Sequence, residues 1–378
     1  MAVLFITHKY PPATGGMEKQ SYELIKGCQN HIDVYSIFFD GSESIFAFIS
    51  KLKSRVYQMI KLHPDIKVIH LNDGLMATIY YLLKIKINDI KIAVTFHGLD
   101  IVFPLSLYQK YLLPKLTRFD TFICVSDATK QACVDKGFEK NKLFVVDNGV
   151  EDALNPTSNK SEICILNKYG INDDSIIILA IGRPVKRKGF SWFAQNVMPL
   201  LDDRFKFVHI GDVTVSDSFW FRLLPTKMQE LISLFLGKAT DAKALKDESK
   251  TNKNIILCGK VSDDDKVAII SNASVMVMPN IKVKGDMEGF GLVALEGSIL
   301  GKTVLAANLE GITNAIHDGK NGFLLDSEKP EIWANRIKEI SHNKVLFDAQ
   351  VRDYTLQHFS WERMCLGYVQ VFKNITKV

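Results

Sequence analysis

Two carboxylates and two cations carry the strongest chemical signal in this sequence. Glu288 and Glu296 stand eight positions apart in the stretch EGFGLVALE. Glu288 precedes Gly289 and Gly291 and so belongs to a loop, while Leu292, Val293 and Leu295 predict a buried helix carrying Glu296. A helix covers that distance in just over two turns. Both carboxylates can then accept hydrogen bonds from one elongated, hydroxyl-rich ligand. The bland alternative is two unrelated glutamates, but an acid on a strongly apolar helix needs a partner.

The cations lie in Gly182-Arg183-Pro184-Val185-Lys186-Arg187-Lys188-Gly189, directly after an apolar run. Arg183 offers a fork of donors and Lys188 a point charge, a pairing suited to a diphosphate. The same charge stabilises a departing nucleoside diphosphate without a metal ion. A solvated basic turn is the competing reading. Two further spots are weaker. Pro11-Pro12-Ala13-Thr14-Gly15-Gly16 lies between a strand and a helix, where glycines let backbone N–H groups approach a phosphate or sugar. His97 ends a strand and precedes Gly98, a position that favours a site role. His70 and His209 also end strand patterns and read as structural. Trp192, Trp220 and Trp361 read as packing residues, because no repeated aromatic pattern supports nucleic-acid binding.

These residues need elements to hold them. Short apolar, β-branched runs predict strands at Val3–Thr7, Val34–Phe38, Val68–Leu71, Ile92–Phe96, Thr121–Val125 and Leu143–Val146. Helical patterns such as Glu18–Cys28 and Met76–Leu83 separate them, which argues for a parallel, doubly wound sheet. Residues 151–173, with Asn155-Pro156, read as a linker. The pattern then restarts with Ile176–Ile181, Phe205–Ile210, Ile255–Cys258, Val275–Met278, Thr303–Ala306 and Gly322–Leu325. The fold class is therefore α/β: two Rossmann-like, doubly wound domains, residues 1–163 and 164–360, whose strand ends face each other across a cleft.

The chain has 378 residues, 47% of them hydrophobic and 24% charged, with a net charge of +5. That excludes a disordered chain and suits two cores. The mild basic surplus fits a phosphate-rich ligand or an anionic membrane surface; without a dense Lys/Arg block, nucleic acid is not expected as a partner. Six cysteines show neither C-x-x-C pairing nor metal-ligand spacing, so buried free thiols in a reducing cytoplasm are expected. The opening MAVLFITHKYPP reads as a strand rather than a signal peptide, and no apolar run reaches membrane-spanning length. Residues 45–62 carry a helical apolar stripe at 45, 48/49, 52, 56 and 59/60, with Lys51, Lys53, Arg55 and Lys61 off it. A core-facing helix and a membrane-surface helix both fit, and the basic, aromatic segment 103–118 adds to the second reading. Residues 213–250, with the apolar Phe219–Leu224, look like an insertion.

Taken in order, these motifs resemble glycosyltransferase family 4, retaining enzymes of the GT-B fold. The resemblance rests on Glu288 and Glu296, the 182–189 loop, and the Pro-Pro…Gly-Gly loop at 11–16. It also rests on Thr95-Phe96-His97-Gly98-Leu99-Asp100, Val125-Ser126, Asn148-Gly149-Val150 and Asp318-Gly319-Lys320-Asn321-Gly322. Phe359-Ser360-Trp361-Glu362 is similar to the start of the family's last helix, which would join residues 361–378 to the first domain. After Ala306 the chain departs from the family's Gly-Gly and Pro-Glu pattern and reads Asn308 to Asn314.

The resemblance implies roles. Gly182, Arg183 and Lys188 would bind the donor diphosphate, with Gly16 near those phosphates. Glu296 would hold the ribose hydroxyls. Glu288, Gly289, Phe290, Gly291 and Leu292 would hold the donor sugar, and backbone groups of Lys260 and Val261 would frame the base. On the acceptor side stand Gly15, Gly16, His97 and Asp100, with His97 beside the reacting sugar. His97, Arg183, Lys188 and Glu288 would form the catalytic set, with no general base, metal or cofactor assigned, the nucleotide sugar being a substrate.

The expected activity is retaining transfer of a sugar from a UDP- or GDP-linked donor to a saccharide or lipid-linked saccharide, in bacterial surface polysaccharide or lipopolysaccharide synthesis. The setting would be cytoplasmic, peripheral to the membrane through 45–62 and 103–118. A GT-B nucleotide-sugar epimerase would consume donor without an acceptor. A saccharide-binding module need not keep Arg183, Lys188, Glu288 and Glu296 together. A nicotinamide dehydrogenase expects G-x-G-x-x-G after the first strand, where this chain reads PPATGG.

Overall fold

A computed structural model describes residues 1–151, 162–172, 174–214, 225–236, 238–343 and 349–376. Its contacts divide the chain into two units. One comprises Met1–Gly149, Met287–Leu292 and Phe359–Val378; the other comprises Val150–Asp286 and Val293–His358.

In the first unit the strands are β1 Ala2–Thr7, β2 Asp33–Phe38, β3 Ile66–Leu71, β4 Lys91–Phe96, β5 Thr121–Cys124 and β6 Leu143–Val145. They pair in parallel in the order β2-β1-β3-β4-β5-β6. Strand pleating sends alternate side chains to opposite faces. Ala2, Leu4 and Ile6 accordingly enter one core with Phe48, Leu52 and Val56, whereas Val3 and Phe5 enter another with Leu24, Met364 and Phe372. Burial on both faces is why β1 reads as an unbroken apolar run rather than an alternating one.

The second core exists because the helix Trp361–Thr376 lies in it beside Gly16–Cys28. Tyr368 anchors the C-terminal helix to a buried polar network. Its hydroxyl lies 3.1 Å from Thr95 Oγ1 and accepts from Gln20 Nε2 at 3.3 Å, and Thr95 Oγ1 lies 2.8 Å from His70 Nε2. His70 is fully buried, and burial pushes its pKa down to about 3. It therefore stays neutral and structural, edge-on to Phe5 and Tyr368.

In the second unit the strands are β7 Ile176–Ile181, β8 Phe205–Ile210, β9 Ile255–Gly259, β10 Val275–Met278, β11 Val304–Ala307 and β12 Phe323–Leu325. Their order is β12-β11-β10-β7-β8-β9, again parallel. Successive strands leave β7 on one side through β8 and return on the other at β10. This reversal places the loops after β7 and β10 side by side at the strands' carboxyl ends, where open α/β sheets bind ligands. In the first sheet the corresponding reversal lies between β1 and β3.

Several expectations need correction. Part of the presumed linker 151–173 is helical: Glu162–Lys168 buries Ile165 and Leu166, the latter in the core of the second unit, and Lys168 and Tyr169 both reach Asp265 at 2.6 Å. The adjacent apolar pair Ile165-Leu166 outweighs the polar composition around it. The insertion 213–250 contains the helices Thr226–Leu236 and Ala242–Thr251; Phe219–Leu224 and Trp220 lie outside the described residues. Ile45–Leu62 is one helix, and its stripe is committed to the core through the buried Phe48, Leu52 and Val56. Lys51 and Arg55 pair with Glu43 at 3.0 and 2.6 Å. No described helix is long and apolar enough to cross a membrane. Trp192 packs edge-on to Trp333, and Trp361 is 8% exposed.

Candidate functional site

In the first unit the chain ends of β1, β3 and β4 bring His8, Asn72, Asp73 and His97 to one edge of the sheet. Gly15 and Gly16 open the helix Gly16–Cys28, whose N-terminal amides and dipole favour an anion. The His97 backbone N–H donates to both oxygens of Asp100, at 2.9 and 3.2 Å, and Gly74 N–H donates to Asp100 at 3.0 Å. The ring is fixed separately. Its Nε2 lies 2.9 Å from the Asn72 carbonyl, an acceptor only, so Nε2 carries a hydrogen. Asp100 thus organises the loop by holding backbone rather than imidazole.

The segment Met287–Leu292 belongs to this unit. Gly289 crosses the His97 loop so closely that a Cβ there would collide with the His97 carbonyl oxygen, and a Cβ on Gly98 would stand 2.9 Å from Gly289 Cα. Gly98 has φ +94. A side chain at either position would separate the two backbones. Phe290 is 3% exposed and lies 6.3 Å, edge-on, from Phe359. Leu292 meets Gly16, where an added Cβ would lie 3.3 Å from Leu292 Cδ1. Glu288 is 8% exposed.

Burial pushes the Asp100 carboxyl up to about 6, against the pull of His97 and of the Gly74 amide. The ordinary value is 3.8, so the folded chain holds this proton more tightly than the unfolded one. The destabilising contribution of the charged group is present above about pH 6 and is relieved as pH falls toward 3.8. Asp100→Asn lacks this titration. Its urea midpoint should therefore lose ground to the wild type as pH drops from 7 to 5 (conditions spanning the shift). An unchanged difference between the two proteins would contradict it.

In the second unit the turn after β7 is braced from several sides. Gly182 N–H donates to the Ile210 carbonyl at 2.8 Å, and the Gly182 carbonyl lies 2.9 Å from His209 Nε2. Burial pushes His209 down to about 4, so a neutral ring donates this bond. Lys186–Lys188 form a short 3-10 turn, and Lys188 is buried although Arg183 is exposed. Arg187 pairs with the buried Asp286 at 3.3 Å, tying this turn to the loop after β10. The insertion supplies a further brace: Asp241 N–H donates to the Pro184 carbonyl, and the Asp241 carboxylate accepts from Ser191 N and Oγ at 3.0 and 2.6 Å.

Glu296 lies on the helix Leu292–Ile299, where its carboxylate accepts from Lys266 Nζ. That cation, on the helix Asp263–Asn272, gives the half-buried acid the partner its setting demands. Lys260 and Val261 follow β9, and Lys260 reaches Asp212 at 3.2 Å. Among the described residues no group of His, Cys, Asp and Glu converges as a metal site.

Comparison with known proteins completes this picture. The family profile of glycosyl transferases group 1 matches residues 164–357, just over half of the chain, and that of glycosyltransferase family 4 matches residues 3–154. The chain belongs to the glycosyl transferases group 1. It is similar to an uncharacterized 41.2 kDa protein in the cps region of Klebsiella pneumoniae, 28% identical over 71% of this chain and 64% of that one. It is also similar to the capsular polysaccharide biosynthesis glycosyltransferase CapM of Staphylococcus aureus, 25% identical over 62% of this chain and 56% of that one. The match spans less than two-thirds of either relative's length. In fold it is similar to the Anabaena protein Alr3699/HepE crystallised with UDP-glucose, with a TM-score of 0.71, 16% identity and full coverage of both chains. The two six-stranded sheets are therefore those of the GT-B fold.

Membership in this family gives context to the residues that hold the turn after β7 and the helix carrying Glu296. His209, Asp241 and Arg187 brace that turn, and Lys266 pairs with Glu296. The sequence has His209 as structural and Arg187 inside the cationic motif, whereas Asp241 and Lys266 offer no local signal, because each acts on a segment distant in the chain.

Proposed function

We propose that the protein is a retaining glycosyltransferase that takes a sugar from a UDP- or GDP-linked donor and passes it to a hydroxyl of a saccharide or lipid-linked saccharide. The observation that carries this reading is the turn Gly182–Gly189 at the carboxyl end of β7. It combines a buried Lys188 with an exposed Arg183 on a backbone braced by β8, the β10 loop and the insertion. Such fixed cations suit a diphosphate whose charge grows as the sugar departs. The nucleotide sugar is the substrate, and no cofactor or metal is assigned. The capsular relative supports surface polysaccharide as the product class. Six free thiols support a reducing, cytoplasmic setting. Membrane contact would fall to Leu105, Leu107 and Tyr111, exposed in the basic 103–118 segment, and to the polar face of Ile45–Leu62.

A thermal-shift panel of UDP-glucose, UDP-galactose, UDP-N-acetylglucosamine and GDP-mannose tests the donor half. A ligand that binds the folded state raises the melting temperature. One strong responder is expected, and no response to any of the four would sink the reading. With that donor, NMR of the product reports the anomeric configuration, and an inverted linkage would refute retention. Sedimentation with anionic liposomes tests the membrane contact, which is withdrawn if the protein stays in the supernatant.

A further inference from the structure

Lys266 is the fourth residue of the helix Asp263–Asn272, which follows β9, and Glu296 is the fifth of the helix Leu292–Ile299, which follows the β10 loop. Both helices begin at the carboxyl edge of the second sheet, where strands of a parallel sheet hand the chain to their helices. The first of them must also pass β8 and β7 to carry the chain from β9, at the rim of the sheet, to β10. Its opening turn therefore stands at the ligand-binding edge, beside the helix that leaves β10. Local electrostatics do not account for the direction Lys266 takes. A cation in a first helical turn meets the positive end of the helix dipole, and Asp263, one turn earlier, is a nearer partner. Lys266 Nζ nonetheless donates to Glu296 Oε2 at 2.5 Å, across 30 positions of sequence.

The pair is within reach of a ligand, since the two side chains are 23% and 20% exposed. Lys266 occupies Oε2 only. Among the described residues no hydrogen bond reaches Oε1. An ionised carboxylate has about four acceptor sites, so Oε1 keeps its own for an incoming hydroxyl. A glutamate side chain otherwise samples several rotamers. The lysine holds this one in a single orientation and supplies the counter-charge that a half-buried acid needs.

We propose that Lys266 is the positioning residue of a ribose subsite: by tethering Oε2 it presents Oε1 of Glu296 to the ribose hydroxyls, and so makes the chain select ribonucleotide over deoxyribonucleotide donors. This rests on the reading in which Glu296 holds the ribose of a nucleotide sugar. An acceptor already oriented loses little freedom when the ligand binds. A ligand without the hydroxyls leaves that acceptor unpaired, which is how a site built for a hydroxyl rejects the analogue lacking it.

The test is calorimetric titration of the full chain with UDP, GDP and their 2′,3′-dideoxy counterparts, followed by steady-state kinetics with the donor found by thermal shift. The wild type should bind one ribo form about 10–100-fold more tightly than its dideoxy form, the range for charge-assisted hydrogen bonds. Lys266→Met keeps much of the stem and removes the charge. Its affinity for the ribo form should fall about 10-fold while that for the dideoxy form stays, so that most of the preference disappears. The donor KM should rise more than kcat falls, as when binding is lost equally from ground and transition states. Lys266→Arg retains a donor for Oε2 and should restore the preference. An intact preference in Lys266→Met overturns the role of Lys266 alone. So does an equal weakening of both forms with a lower melting temperature, the mark of a purely structural residue. A wild type that binds both forms alike overturns the ribose role of Glu296 and this proposal with it, and one that binds neither nucleotide overturns the donor reading as well.

Discussion

Replacing Arg183 with alanine is expected to slow sugar transfer by about 10²–10³-fold, near 3–4 kcal/mol of transition-state stabilisation, the range for removing one preorganised electrostatic contact. Arg183 is exposed, so its loss opens no cavity. Its turn keeps the bonds from Gly182 to Ile210, from Asp241 to Pro184 and from Ile281 to Arg187, at 2.8, 2.8 and 2.9 Å. The melting temperature without ligand should therefore stay that of the wild type. Arg183→Lys should recover only part of the rate, because an ammonium restores the charge but not the two-pronged geometry. Steady-state kinetics with the donor found by thermal shift decides it. Wild-type kcat/KM in Arg183→Ala would remove the diphosphate role from this turn.

Gly189→Ala should act through the backbone instead. Gly189 ends the same turn with φ +67, and an added Cβ would collide with the Pro279 carbonyl oxygen and stand 3.0 Å from its carbon. The obstacle is backbone, which cannot swing aside like a flexible side chain. The left-handed conformation costs an L-residue about 1–2 kcal/mol, and overpacking adds about 1–3 kcal/mol. A loss near 3 kcal/mol is expected, seen as a fall of roughly 6–12 °C in the second unit's melting transition at about 2–4 °C per kcal/mol. Because the displaced strand-end loops carry Lys188 and Arg187, the thermal shift with donor should vanish as well. Unchanged melting and donor binding would show that the turn accommodates a Cβ.

The two predictions differ in how early they become visible. The motif around Arg183 stands in the sequence by itself: a strand, a glycine and fixed cations. The collision at Gly189 depends on β10 lying beside β7, where Val275 pairs with Ile178, 97 positions earlier, and two other strands come between them in the chain.

The sequence by itself determined the elements. All twelve strands among the described residues appear within a residue or two of their apolar runs, because strands buried on both faces must be apolar throughout and leave a local signature. The helix Leu292–Ile299, the loop at Glu288 and the cationic turn were legible for the same reason: each depends on residues a few positions apart. The linker was misread where two buried residues, Ile165 and Leu166, outweighed polar neighbours. The stripe of Ile45–Leu62 was read correctly as apolar, but its recipient stayed open, since periodicity identifies a face and not what covers it. Only the tertiary structure decided the partners. Strand order sets Asp73 beside His8, Lys266 beside Glu296, and Asp241 beside Ser191. Each pair joins distant segments through a sheet whose order no local pattern encodes. Burial then makes those pairs matter, because a carboxylate removed from water must find its counter-charge wherever the fold has put one.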